Sequence, residues 1–229
     1  MKWKVMVAAL LCLAVGHANA QKEEFKKALY FGVGGGMLSS SIDFMPSKTL
    51  LFNTGVHGGV STKFISEKNL GLIIELNYAQ KGWKEEFDEE SDYEYGRQLQ
   101  YVELPFMTHV YFGNRVRFVF NAGPQIGFML GDKTVMNDSF AEYLEYAQET
   151  APDEPAVAQY FGKMRKFDYG LTGGLGIEFN TGIGLMQLEG RYYFGLGDIF
   201  ENRDSKGSIF SRSANRNIVA KLTYYFQLK

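Results

Sequence analysis

Beyond residue 20 this chain has no cysteine; its single one, Cys12, lies in an apolar N-terminal stretch. No disulfide framework can therefore hold the fold. Prolines number only 5 and histidines 3 in 229 residues. So few prolines leave long stretches free to pair as β-structure, and scattered histidines show no metal-ligand spacing. Basic charge is not in excess, with 24 Lys and Arg against 26 Asp and Glu. Without a basic patch, nucleic acid is excluded as a partner. After residue 20 no apolar run approaches the roughly 20 residues of a spanning helix. That absence does not exclude a membrane, because a strand barrel spreads its apolar residues over alternate positions.

One glycine-rich stretch, "YFGVGGGML" from Tyr30 to Leu38, invites comparison with phosphate-binding loops. The dinucleotide fingerprint needs a third glycine where Met37 stands, and the Gly-Lys-Ser/Thr ending of a P-loop is absent. Residues 39–49 form a polar run containing Pro46, without helical period. The glycines therefore need a structural explanation.

The N-terminus has the composition of an export signal. Lys2 and Lys4 precede the apolar "VMVAALLCLAVG", and Ala18 to Ala20 supply small residues for cleavage. Residues 1–20 are expected to be a cleaved signal peptide, with a short periplasmic lead over 21–28. Leu11 before Cys12 is not the small residue that a lipid anchor requires. Loss of Lys2 and Lys4 from the 24 basic residues leaves 22 against 26 acidic ones.

Glycine (26) and aromatics (15%) are abundant, and they fall in period-two segments. Eight are expected at 29–38, 52–64, 70–81, 99–112, 116–130, 167–179, 185–196 and 218–228. Each shows an apolar face, such as Leu70, Leu72, Ile74, Leu76 and Tyr78 in the third. The intervening faces are polar: His57 and Lys63; Glu75, Asn77 and Lys81; Glu103 and His109; Arg117, Asn121 and Gln125; Asp168, Thr172 and Glu178; Gln187, Glu189 and Arg191; Lys221 and Thr223. Connections alternate between a few residues and about 13, 17, 36 and 21 residues. The pattern predicts an all-β, eight-stranded antiparallel up-and-down transmembrane barrel over 29–228, with short periplasmic turns and long extracellular loops. Phe64, Phe112, Phe179 and Phe226 are expected to form the periplasmic aromatic girdle. Tyr78, Trp83, Phe128, Phe167 and Tyr169 are expected to form the outer one. The final strand, "KLTYYFQL", is similar to the signal read by the outer-membrane insertion machinery, with Thr223 in place of the usual glycine.

Five lumenal cations (Lys63, Lys81, Arg117, Arg191, Lys221) face five anions (Glu75, Glu103, Asp168, Glu178, Glu189). An eight-stranded barrel is barely wide enough for its own side chains, so these charges must pair. Glu75, Glu103, Glu189, Arg191 and Lys221 are expected at mid-barrel as a structural cluster; a narrow ion path is the alternative. In the loop after the fifth strand, partly helical over 131–163, Ser139 and Glu142 have capping-box spacing. Phe140, Tyr143 and Leu144 share one helical face, which is a candidate contact for an external protein.

Particular segments resemble a known family. "ELNYAQKGW" (Glu75 to Trp83) and "YVELPFMTHVYF" (Tyr101 to Phe112) are similar to the paired signatures of PorT-family outer-membrane β-barrels. "NAGPQIGFML" and "EGRYYFGLGDI" resemble its Gly-Pro and Arg-Tyr strands. The resemblance implies an outer-membrane barrel without catalytic residues, one branch being tied to a protein-secretion system. The function expected is non-enzymatic, structural or interaction-based, in the outer membrane, with no cofactor and no metal. A narrow solute channel and, behind it, a lipid-modifying enzyme are the alternatives. The partners expected are outer-membrane lipid, the insertion machinery, and a protein at the extracellular loops.

Overall fold

A computed structural model describes residues 26–88, 90–152, 154–201 and 210–228. The signal peptide expected at 1–20 and most of the lead at 21–28 lie outside the described residues. Eight strands form one closed antiparallel barrel in chain order: β1 (Ala28–Met45), β2 (Leu50–Glu67), β3 (Leu70–Glu85), β4 (Tyr95–Gly113), β5 (Val116–Met136), β6 (Phe167–Asn180), β7 (Leu185–Asp198) and β8 (Arg212–Leu228). Two helices, α1 (Asp138–Thr150) and α2 (Pro155–Ala158), lie between β5 and β6. No helix among the described residues is long and apolar enough to cross a membrane; the strands cross it. The ring closes where β1 pairs with β8, from Leu29 opposite Leu228 to Met45 opposite Arg212.

Period-two alternation places side chains on the two faces as expected. Val33, Met37, Val56, Leu76, Phe106, Phe120, Leu175, Leu188 and Leu222 stand exposed on the outside. Lys63, Glu75, Lys81, Glu103, Asp168, Glu178, Glu189, Arg191 and Lys221 are buried inside. Apolar-out and polar-in is the arrangement for which lipid, not water, is the solvent. Three turns on one rim are tight: residues 68–69, 114–115 and 181–184. Asn69 (φ 70°) and Gly182 (φ 86°) adopt the left-handed backbone that such turns use.

The opposite rim departs from expectation. The strands run on well beyond the lipid-facing segments, and β5 reaches 21 residues. The 13-residue connection expected after strand one shrinks to residues 46–49, and the 36 after strand five to 137–166. The added pieces reverse the pattern below them. On β1 above Met37, Ser39, Ser41 and Asp43 point outward while Ile42 and Phe44 are buried inside. Polar outward positions pair with one another on β1 to β4 and on β8: Ser39 with Thr54, Gln80 with Gln100, and Arg216 with Ser41. Above the level of Met37, β1 turns largely polar outside and apolar inside, whereas β5 and β6 keep Phe128, Leu130 and Phe167 exposed on the outer face.

That apolar interior is a plug. Phe44, Trp83, Leu99, Ile199, Phe200 and Phe210 cluster within the extracellular mouth. Phe44 and Phe210 lie 4.5 Å apart, and Trp83 packs edge-on to Phe44 at 5.6 Å. The assignment of Trp83 to the outer girdle is therefore corrected: it is 2% exposed and faces inward. Strict alternation from Lys81 on the same strand requires this orientation.

Candidate functional site

The lumen is organised as three charge clusters stacked along the axis. Nearest the short turns, Lys63 on β2 pairs with Glu178 on β6, whose other oxygen accepts from Arg117 on β5 at 3.0 Å. The Lys63 ammonium also donates to Gln187 at 2.7 Å and lies 3.8 Å from the ring centre of Tyr225. His109 and Asn121 share a 2.7 Å hydrogen bond beside them.

At mid-barrel Glu75 on β3 accepts both Arg191 nitrogens, at 2.7 and 2.8 Å, and Lys221 at 2.9 Å. Arg191 also donates to Glu189 at 2.7 Å. Asn77 donates to Glu75, while Asn121 and Gln187 donate to Glu189, all at 2.7 to 2.8 Å. Towards the mouth, Lys81 lies 2.5 Å from Glu103 and 3.4 Å from Asp168. His57 sits 3.4 Å from Glu103, and Tyr101 and Tyr193 each place a ring centre 4.6 Å from the Lys81 ammonium.

The structure thus joins four of the five residues expected as one cluster: Glu75, Glu189, Arg191 and Lys221. Glu103 is separated from them and belongs to the Lys81 group. With histidines counted neutral, the formal charges are +1 near the short turns (two cations, Glu178), 0 at mid-barrel, and −1 towards the mouth (Lys81, two anions). Burial of ions is tolerable only with such partners, since each unpaired one costs several kcal/mol. Asn121, Gln187 and Asn77 were legible as lumenal, but their bridging roles depend on strand register.

Glycines make room for this network. A Cβ on Gly34 would lie 2.4 Å from the Thr223 hydroxyl and 2.9 Å from Lys221 Cε. On Gly174 it would lie 2.6 Å from a Glu189 oxygen and 2.7 Å from Arg191 Cγ. The glycines of β1 and β6 therefore accommodate the cations and carboxylates of the opposing strands.

Above the plug, a polar clamp ties the extracellular connections together. Lys48, between β1 and β2, lies 2.5 Å from Glu85 at the end of β3. The Tyr160 hydroxyl donates to the other Glu85 oxygen at 2.8 Å. Burial lowers the Lys48 pKa against the pull of Glu85, whereas burial and then the Glu85 charge both raise that of Tyr160.

The α1 helix packs against this rim. Its cap is Asn137, whose side chain accepts from the Phe140 amide at 3.1 Å, so the capping box expected at Ser139 and Glu142 is not used. The chain enters the helix at 138, which puts Ser139 inside the first turn. Phe140 and Leu144 are buried against Phe87, Tyr93, Tyr95 and Tyr160, so neither is available to an external protein. Tyr143 remains partly outward, and Tyr146 (68%) and Phe161 (51%) are the exposed aromatics of this loop.

The chain is similar, at low identity, to several solved outer-membrane proteins. Ail of Yersinia pestis, in complex with the heparin analogue sucrose octasulfate, is 13% identical over 86% of this chain and 99% of its own, with a TM-score of 0.43. OprG of Pseudomonas aeruginosa is 11% identical over 87% and 97%, with a TM-score of 0.45. Outer membrane protein W of E. coli is 12% identical over 87% and 98%, with a TM-score of 0.41. No curated protein matches the chain. The family described as outer membrane protein beta-barrel domain matches residues 19–201, most of the sequence. With a closed ring of eight strands and an apolar exterior around an ion-paired lumen, the chain belongs to that outer-membrane β-barrel family.

Proposed function

We propose that this barrel is a non-enzymatic structural or interaction component of the outer membrane, similar to PorT-like proteins and linked to protein secretion or envelope assembly. The occupied lumen is the observation that carries the reading. Its ionised groups bond to one another, and the void among His57, Glu103, Arg191 and Tyr193 measures only about 10 Å³, about the room one water needs. The aromatic plug closes the mouth above it. Side chains committed to pairing and packing favour a scaffold over a conduit or a reaction centre. The surface left for a partner is the extracellular rim, where Tyr146 and Phe161 stand exposed.

Planar-bilayer recording tests the closed lumen: no steady conductance is expected from the purified protein. A steady conductance abolished by Glu75→Gln or Arg191→Gln would establish a channel instead. Crosslinking in intact outer membranes, with and without residues 137–163, tests the partner surface. Capture unchanged by the deletion would remove the loop from the interaction.

A further inference from the structure

The outer wall of the barrel carries a groove of about 560 Å³ at the top of β5, β6 and β7. Its floor is Phe128, Phe167, Tyr169 and Leu196, all lipid-facing and exposed. Outward apolar residues continue here to Leu130 on β5 and Phe167 on β6, whereas on β1 they give way to polar ones above Met37. Directly above the floor, three cations fall within four residues: Lys163, Arg165 and Lys166. Their balance is uneven. Lys163 pairs with Glu201 at 3.1 Å, and the Asp198 carboxylate accepts from the Ser213 amide at 2.7 Å. Among the described residues no carboxylate pairs with Arg165 or Lys166.

Aromatic rings below and unmatched cations above, at the height where the outward face turns from apolar to polar, form a complement to one kind of molecule. We propose that this groove holds a phosphate-bearing lipid of the outer leaflet, with its acyl chains along Phe128, Phe167 and Tyr169 and its phosphate between Arg165 and Lys166. Arg and Lys at an interface bind phosphate by charge-assisted hydrogen bonds. The aromatic floor provides the amphipathic contact that favours the headgroup level. A soluble anion would gain nothing from that floor, and an uncharged lipid nothing from the cations.

The test uses the full barrel in detergent micelles, with binding read by native mass spectrometry. The probes are bisphosphorylated lipid A, the same lipid stripped of phosphate, and inorganic phosphate. Bisphosphorylated lipid A should bind at least about tenfold more tightly than the stripped form, in line with one or more charge-assisted bonds. Arg165→Gln/Lys166→Gln should remove that preference, while Lys68→Gln/Arg115→Gln, at the opposite rim, should preserve it. Heat-dependent gel mobility confirms that each variant is folded. Equal binding of both lipids, an unaffected Arg165/Lys166 double variant, or binding of inorganic phosphate as tight as that of the lipid would overturn the proposal.

Discussion

Removing one carboxylate from the middle of the lumen tests the ion-pair architecture most directly. Glu75 is fully buried and accepts from Arg191 twice, from Lys221 and from Asn77. Glu75→Gln keeps the volume and shifts the cluster from two cations and two anions to two and one. Arg191 then retains the Glu189 carboxylate, but Lys221 loses its carboxylate partner and is left with neutral amide oxygens such as that of Asn77 at 3.1 Å. Breaking one side of a buried pair costs about 3–5 kcal/mol. Lys221→Met creates the opposite imbalance and should cost a similar amount. Combining the two restores neutrality around Arg191 and Glu189, so the double variant should be less destabilised than the sum by about 2 kcal/mol. Urea unfolding in lipid vesicles provides the assay, with fluorescence from Trp83, the single tryptophan beyond residue 20. Because Trp83 sits in the plug, its emission also shows whether the mouth stays closed. Strict additivity, or Glu75→Gln within about 0.5 kcal/mol of wild type, a typical surface-substitution effect, would refute the argument that the lumen is held by charge pairing.

Other consequences can be checked separately. Gly34→Leu drives its side chain into Thr223 and Lys221 at the β1–β8 closure, so the heat-modifiable folded band should be lost. Phe200→Ala removes a ring packed on Phe44 and Trp83 and should cost about 3 kcal/mol, with a red shift of Trp83 emission. Asn137→Ala deletes the α1 cap, worth about 1 kcal/mol, and should speed proteolysis within 137–166 without altering the barrel. The pKa of Tyr160 is raised in the fold. The hydroxyl's contribution is therefore complete below the unfolded value near 10 and lost as pH rises through the folded one. The stability difference between wild type and Tyr160→Phe should shrink correspondingly above about pH 10.

Much of the barrel could be read from alternation alone. Leu70 to Tyr78 and Ile218 to Leu228 display apolar faces of period two, and which side faces lipid needed no further information. Residues 39–45 did not disclose themselves, because Ser39, Ser41 and Asp43 point to water while Ile42 and Phe44 point inward. A template for lipid-facing strands cannot recognise a segment in which the sides are exchanged. Lumenal residues were identifiable one by one, but their partners were not. Glu75 and Arg191 are 116 positions apart on β3 and β7, and only the closed register brings them together. The same limit applied to α1: its amphipathic face was visible, but not that Tyr93, Tyr95 and Tyr160 would cover it.

The reversal of polarity above Met37 has a bearing on how the ring can close. Inside a bilayer, hydrocarbon is as good a solvent for leucine as another leucine is, so burying apolar groups there supplies no drive toward association. The plug lies above that zone, where unassembled strands would expose Phe44, Trp83, Phe200 and Phe210 to water. Phe44 belongs to the first strand, and Phe210 lies two residues before the start of the last. Their contact therefore draws together the two ends of the chain that must find each other. The seam that lipid cannot pull shut is tightened from outside the membrane, by water.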